Sequence, residues 1–152
     1  MRRVLIALPL VVTVVACAPS QQPPPFKAVV DTKTLMSSMM ERQADIVWES
    51  VGSVITGNDI IERQPHTDEE WAAVRNAAIS VTETGNLLMI APRAGDDGWM
   101  KAAAGLIVQG ERMIAAVDKK DPKAVFDVGS DLYDACVTCH MHYMPAIKDM
   151  YK

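Results

Sequence analysis

Apolar residues recur at helical spacing in four stretches of this chain. Between about residues 31 and 55, Met36, Met40, Val47, Val51 and Val54 fall on one stripe, the rhythm that places side chains on a single helix face. Gly57-Asn58-Asp59 closes the region that follows. A second stripe runs through Trp71, Val74, Ala78, Val81, Gly85 and Leu88. It opens at Thr67-Asp68-Glu69-Glu70, a capping-box pattern with acidic residues in the first turn, and Pro92 and Gly95 end it. The third begins near Asp96-Asp97 and carries Trp99, Ala103, Leu106, Gly110, Met113 and Val117, stopping at Lys119-Lys120, where positive charge suits a helix C-terminus. Asp121-Pro122 restarts the chain as an N-cap followed by proline at the first helical position. The fourth stripe is Val125, Gly129, Leu132, Cys136, Cys139 and Tyr143, ending near Pro145. No alternating strand pattern of useful length lies between these stretches. The pattern predicts an all-α fold, an antiparallel bundle of four helices, each about 30 Å or more long at 1.5 Å per residue. The longest connection, roughly 56 to 66 and containing Pro65 and His66, joins the first two.

The first sixteen residues read as an export signal. Arg2 and Arg3 form a positive n-region, and Val4 to Val15 an apolar h-region too short to span a bilayer comfortably. Val14-Val15-Ala16-Cys17 resembles a bacterial lipobox, which would make Cys17 the lipidated first residue of the mature protein. Cleavage after Ala18 also satisfies the small-residue rule through Ala16 and Ala18. With Cys17 lipidated, the address is the periplasmic side of the cell envelope. Ala18 is not the aspartate of an inner-membrane retention signal, which favours the outer membrane. Residues 17–30, with Pro19, Pro23, Pro24 and Pro25, then form an extended tether, and residues 31–152 the one globular domain.

Charge narrows the partners. The formal net charge is −4 at pH 7, and it becomes more negative once Arg2 and Arg3 leave with the signal, so nucleic acid is an unsuitable partner. Asp127, Asp131 and Asp134 share one side of the fourth helix, a solvated face that could also orient a basic redox partner.

Chemistry concentrates at Cys136-Val137-Thr138-Cys139-His140. C-x-x-C-H is the signature of covalent haem c attachment: two thiols add across the haem vinyl groups, and the adjacent imidazole reaches the iron as proximal ligand. On a helix, positions 136, 139 and 140 are spaced i, i+3 and i+4 and project from one face. Redox dithiols and zinc sites share the bare C-x-x-C, but no second cysteine pair or distant histidine pair completes a zinc set. His142 is turned away from His140 on a helix, and His66 belongs to the linker. Arg42, Arg75 and Arg93 are candidates to pair with haem propionates.

A C-x-x-C-H on the last of four helices resembles class II cytochromes c, the cytochrome c′ family, across nearly all of residues 31–152. Tyr143, three residues beyond His140, and the methionine-rich first helix strengthen the likeness. Met36 through Gly52, Trp71, Asn86-Leu87-Leu88, Arg93 and Trp99 look like a subgroup of small exported bacterial cytochromes. The resemblance implies one covalent haem on the C-terminal helix and electron transport rather than catalysis. Leu35-Met36 resembles the Leu-Met pair of the low-spin members and implies Met36 as distal iron ligand. Met39 and Met40 are its rivals, because helical spacing alone does not choose among the three. In family members with an apolar distal residue the iron is five-coordinate, so the alternative function is binding or sensing of nitric oxide or carbon monoxide. Met144 stands where the family often has a basic residue, which removes any propionate contact there. Bundles of this family often dimerise through their first two helices, leaving a homodimer as an open expectation.

Overall fold

A computed structural model describes residues 26–144 and is mostly helical, with one small two-stranded sheet among the described residues. The signal segment and Cys17 lie outside the described residues. Helix α1, Thr32–Leu35, begins where the Asp31 side chain accepts from the Thr34 backbone N–H. The chain then passes without a break into a π-helical turn, Met36–Met40, and on into α2, Glu41–Glu49.

The hairpin was not legible as such, and it shortens the first predicted helix. Instead of running to residue 55, the helix ends at Glu49. Strands β1, Gly52–Thr56, and β2, Asp59–Arg63, follow as an antiparallel pair with Val54 opposite Ile61 and Ile55 opposite Ile60. Gly52 has φ +142°, a backbone conformation that L side chains rarely adopt, so the helix cannot pass through it. Gly57, at φ +62°, takes the first central place of a two-residue turn between Thr56 and Asp59. The β-branched run Val54-Ile55-Thr56 and Ile60-Ile61 on either side suits a pleat better than a helix. Val54 therefore leaves the predicted core stripe and is 40% exposed.

The other starts lie where their caps are. Helix α3 spans Asp68–Leu88, and both reciprocal bonds of the Thr67/Glu70 capping box are present. Asp96 caps α4, Asp97–Asp118, by accepting from the Trp99 N–H. Asp121 caps α5, Pro122–Tyr143, through the Ala124 N–H. Every member of the predicted second stripe is buried, as are Ala103, Leu106, Gly110, Met113 and Val117 on α4.

Two adjoining clusters make the core. Val47, Val51, Trp71, Val74, Met113, Val117 and Val125 fill the end from which the hairpin leaves. Leu35, Met40, Val81, Leu88, Leu106 and Leu132 fill the other, with Met36, Trp48, Trp99 and Cys136 packed against them. Helices α3 and α4 run antiparallel and approach closely through glycines. A Cβ on Gly110 would lie 2.1 Å from Thr82 Oγ1, and one on Gly85 would lie 2.7 Å from Ile107. Indole N–H groups tie elements together: Trp48 Nε1 donates to the Gly129 carbonyl at 3.1 Å and Trp99 Nε1 to the Leu88 carbonyl at 2.9 Å. The second bond satisfies a carbonyl that the end of α3 leaves open.

Candidate functional site

Cys136, Cys139 and His140 all lie on α5, half-buried, and line the same cavity of about 40 Å³. Met36 and Met40 line it too, and Leu88, Ala102, Ala103, Leu106 and Ala135 complete the wall. Residues a hundred positions apart in sequence thus meet at one apolar point, where two thiols, an imidazole and two thioethers share a lining.

The π-helical turn sorts the methionines. A widened turn brings positions five apart onto one face, so Leu35 and Met40 are buried together while Met36, half-buried, lines the cavity. Met39 is turned out and 41% exposed, away from the cavity. Ser37 and Ser38 direct their hydroxyls to the Thr34 carbonyl. Such side-chain bonds compete with the regular helical ladder and bend it, and these two serines are the sequence signal that uniform helical spacing overlooked.

Electrostatics separate this C-x-x-C from a redox dithiol. Burial, then the neighbouring Cys139, pushes the Cys136 thiol up to about 11, and burial raises Cys139 as well. Both thiols are free. They sit in the last turns of α5, whose macrodipole is negative at that end and opposes a thiolate. A dithiol oxidoreductase needs a lowered thiol and places its motif at the start of a helix. Burial lowers His140, keeping the imidazole neutral with a lone pair available to a metal. Among the described residues, no group of three or more His, Cys, Asp or Glu side chains gathers to hold an ion.

A clasp holds this end of α5. Tyr143 Oη donates to the Asp96 carboxylate at 2.5 Å, the same carboxylate that caps α4. Its ring meets Trp99 edge-on at 5.1 Å and His142 at 4.5 Å. His142, which spacing turned away from His140, is the exposed member of this aromatic group. His66 lies at the mouth of α3, its backbone N–H donating to Glu70.

Of the three arginine candidates, Arg75 and Arg93 have protein partners. Arg75 pairs with Asp118 at 2.6 Å, at the end of α4 remote from Cys136. Arg93 donates to the carbonyls of Val30 and Leu87. Asp131 pairs with Arg112 at 2.7 Å and Asp127 with Lys123 at 2.6 Å, so the acidic side of α5 is partly neutralised. Beyond Ala102 and Ala135, which line both spaces, a groove of about 720 Å³ opens between α4 and α5 over Gly98, Gly105 and Thr138.

No family profile, curated protein or solved structure matches the chain.

Proposed function

We propose that the protein is a mono-haem c-type cytochrome that carries electrons in the bacterial cell envelope, its helices forming an antiparallel four-helix bundle with haem c held on the last. The observation that carries this reading is the convergence of Cys136, Cys139 and His140 with Met36 and Met40 on one cavity.

The donor set fits the group. Two thiols one turn apart would hold it by thioether bonds, and His140, kept neutral by burial, would offer its free nitrogen to the iron. Met36 is the distal ligand in this reading. Met40 lines the same cavity and is the remaining rival, whereas Met39 faces solvent. The cavity alone is smaller than a macrocycle. Ala102 and Ala135 separate it from the neighbouring groove, which is lined by small residues and by the charged Lys101, Arg112, Asp131 and Asp134. Bound haem supplies an iron that gains and loses one electron. The chain's own Leu88 and Leu106 line the site and keep water away, and Met36 with His140 would hold the iron, which would then exchange an electron with little change in ligands. An export signal over residues 1–16 with lipid attachment at Cys17 supports a location at the membrane, where a redox partner protein would meet the haem.

The test is optical spectroscopy of the isolated holo-protein in both oxidation states, with and without carbon monoxide. A low-spin spectrum indifferent to the gas is expected. Prompt adduct formation would contradict the closed site and favour gas binding.

A further inference from the structure

Among the described residues the hairpin gathers four exposed apolar side chains. Ile55 is 76% exposed, Ile60 66% and Ile61 58%, and Val54 is 40% exposed. Among the described residues each strand pairs only with the other, and both outer edges are open. Arg63 donates to the Glu49 carbonyl at 3.1 Å, tying β2 to the end of α2.

The two edges differ. Thr56 and Asp59 flank a two-residue turn, so they form a hydrogen-bonded pair, as do Val54 with Ile61 and Gly52 with Arg63. The backbone N–H and C=O groups of Ser53 and Ile55 therefore point outward from β1, and those of Ile60 and Glu62 from β2. Strand β2 carries Asp59, Glu62 and Arg63, the kind of charge that blocks edge pairing. Strand β1, Gly-Ser-Val-Ile-Thr, carries no charge, proline or bulge.

We propose that β1 is a self-association edge that pairs antiparallel with β1 of a second copy of this chain, giving a four-stranded sheet about a two-fold axis at Val54. Identical strands crossing a two-fold run antiparallel, as the isologous interface requires. In that register Val54 faces Val54 of the second copy, Ser53 faces Ile55, and Gly52 faces Thr56. The outward groups of Ser53 and Ile55 then meet their counterparts in hydrogen-bonded pairs, and no like charges oppose one another. One face of the sheet becomes a continuous apolar row: Ile61, Val54, then Val54 and Ile61 of the second copy.

A lipid surface is a poorer occupant. The polar turn Gly57-Asn58-Asp59 would have to enter it first, carrying an acidic side chain with it. The pairing is also distinct from a helix-face dimer. It joins the ends of two molecules opposite Cys136–His140 and leaves those ends free. A few apolar side chains per copy amount to less than the ~800 Å² per partner of a stable complex, so the dimer is a weak one.

Sedimentation velocity of the full exported chain over a micromolar to sub-millimolar series tests this. The wild type is expected to shift from monomer to dimer across the series. Val54→Lys and Val54→Glu, each placing like charges face to face at the axis, are expected to weaken the dimer at least ~10-fold. An equimolar mixture of the two variants is expected to restore it, which also shows that both still fold. A wild type that stays monomeric, a dimer indifferent to both variants, or a mixture that fails to reassociate would each overturn the proposal.

Discussion

Cys136 and Cys139 are placed where a thiolate is disfavoured twice over, by burial and by the negative end of α5. Thiols in that position suit covalent attachment of a cofactor rather than dithiol exchange. The C-x-x-C-H motif was wholly legible in the sequence because its spacing is short and local. The partner lining the same cavity was legible only as a set of three methionines. What separated them is a backbone irregularity that no residue count reveals. Met36 and Met40 line the cavity while Met39 faces solvent, so substitutions should sort in the same way. In the holo-protein, Met36→Leu is expected to give a high-spin spectrum and a rapid carbon monoxide adduct, with Met39→Leu indistinguishable from the wild type. If Met36→Leu keeps the low-spin spectrum and Met40→Leu loses it, the distal role passes to Met40.

At the scale of elements, the helices with side-chain caps were read closely. Thr67, Asp96 and Asp121 each sit at the start of a helix, with their capping bonds made. The stretch after α2 was missed because Val47, Val51 and Val54 keep helical spacing into residues whose backbone is set by Gly52 and Gly57. The signal lay in the β-branched residues on both sides of Gly57-Asn58, a pattern short enough to be mistaken for a loop. Gly85 and Gly110 were counted in the apolar stripes, yet their role is steric. They bring α3 and α4 together, and Gly110 leaves no room for a methyl group beside Thr82. Gly110→Ala is expected to destabilise the fold by about 1–3 kcal/mol through overpacking, although alanine favours a helix. Gly105, whose Cβ would meet nothing within 4 Å, is the matched control. Chemical denaturation should leave Gly105→Ala at wild-type stability or above. Equal effects at the two positions would contradict the close-approach account.

At the scale of the molecule, exposed carboxylates at helix starts are expected to give stability a modest acid dependence. Asp31, Glu70 and Asp96 are held below the usual carboxylate range by hydrogen bonds at the starts of α1, α3 and α4, with Tyr143 the first cause at Asp96. Asp68 is held down by Lys120. For groups depressed in the folded state, the stabilisation is complete above the unfolded value and is lost as pH falls through the folded one. Thermal unfolding should therefore vary little from about pH 7 to 5 and drop below about pH 4. Asp96→Asn should flatten part of that acid limb and loosen the clasp to Tyr143. An acid limb unchanged in Asp96→Asn would show that the clasp contributes nothing. Tyr143 is pushed up to about 12, chiefly by the same bond, so its contribution persists below its ordinary value and disappears only as pH rises toward 12. Between these limits the end of α5 that carries Cys139 and His140 stays fastened to the start of α4.

The central claim is that Cys136 and Cys139 hold haem covalently, and mass spectrometry of the exported protein tests it most directly. After denaturation, extraction with acidified organic solvent and proteolysis, the peptide spanning Cys136–His140 is predicted to retain one haem, with neither thiol open to alkylation. A peptide of unmodified mass whose two cysteines both alkylate would contradict it.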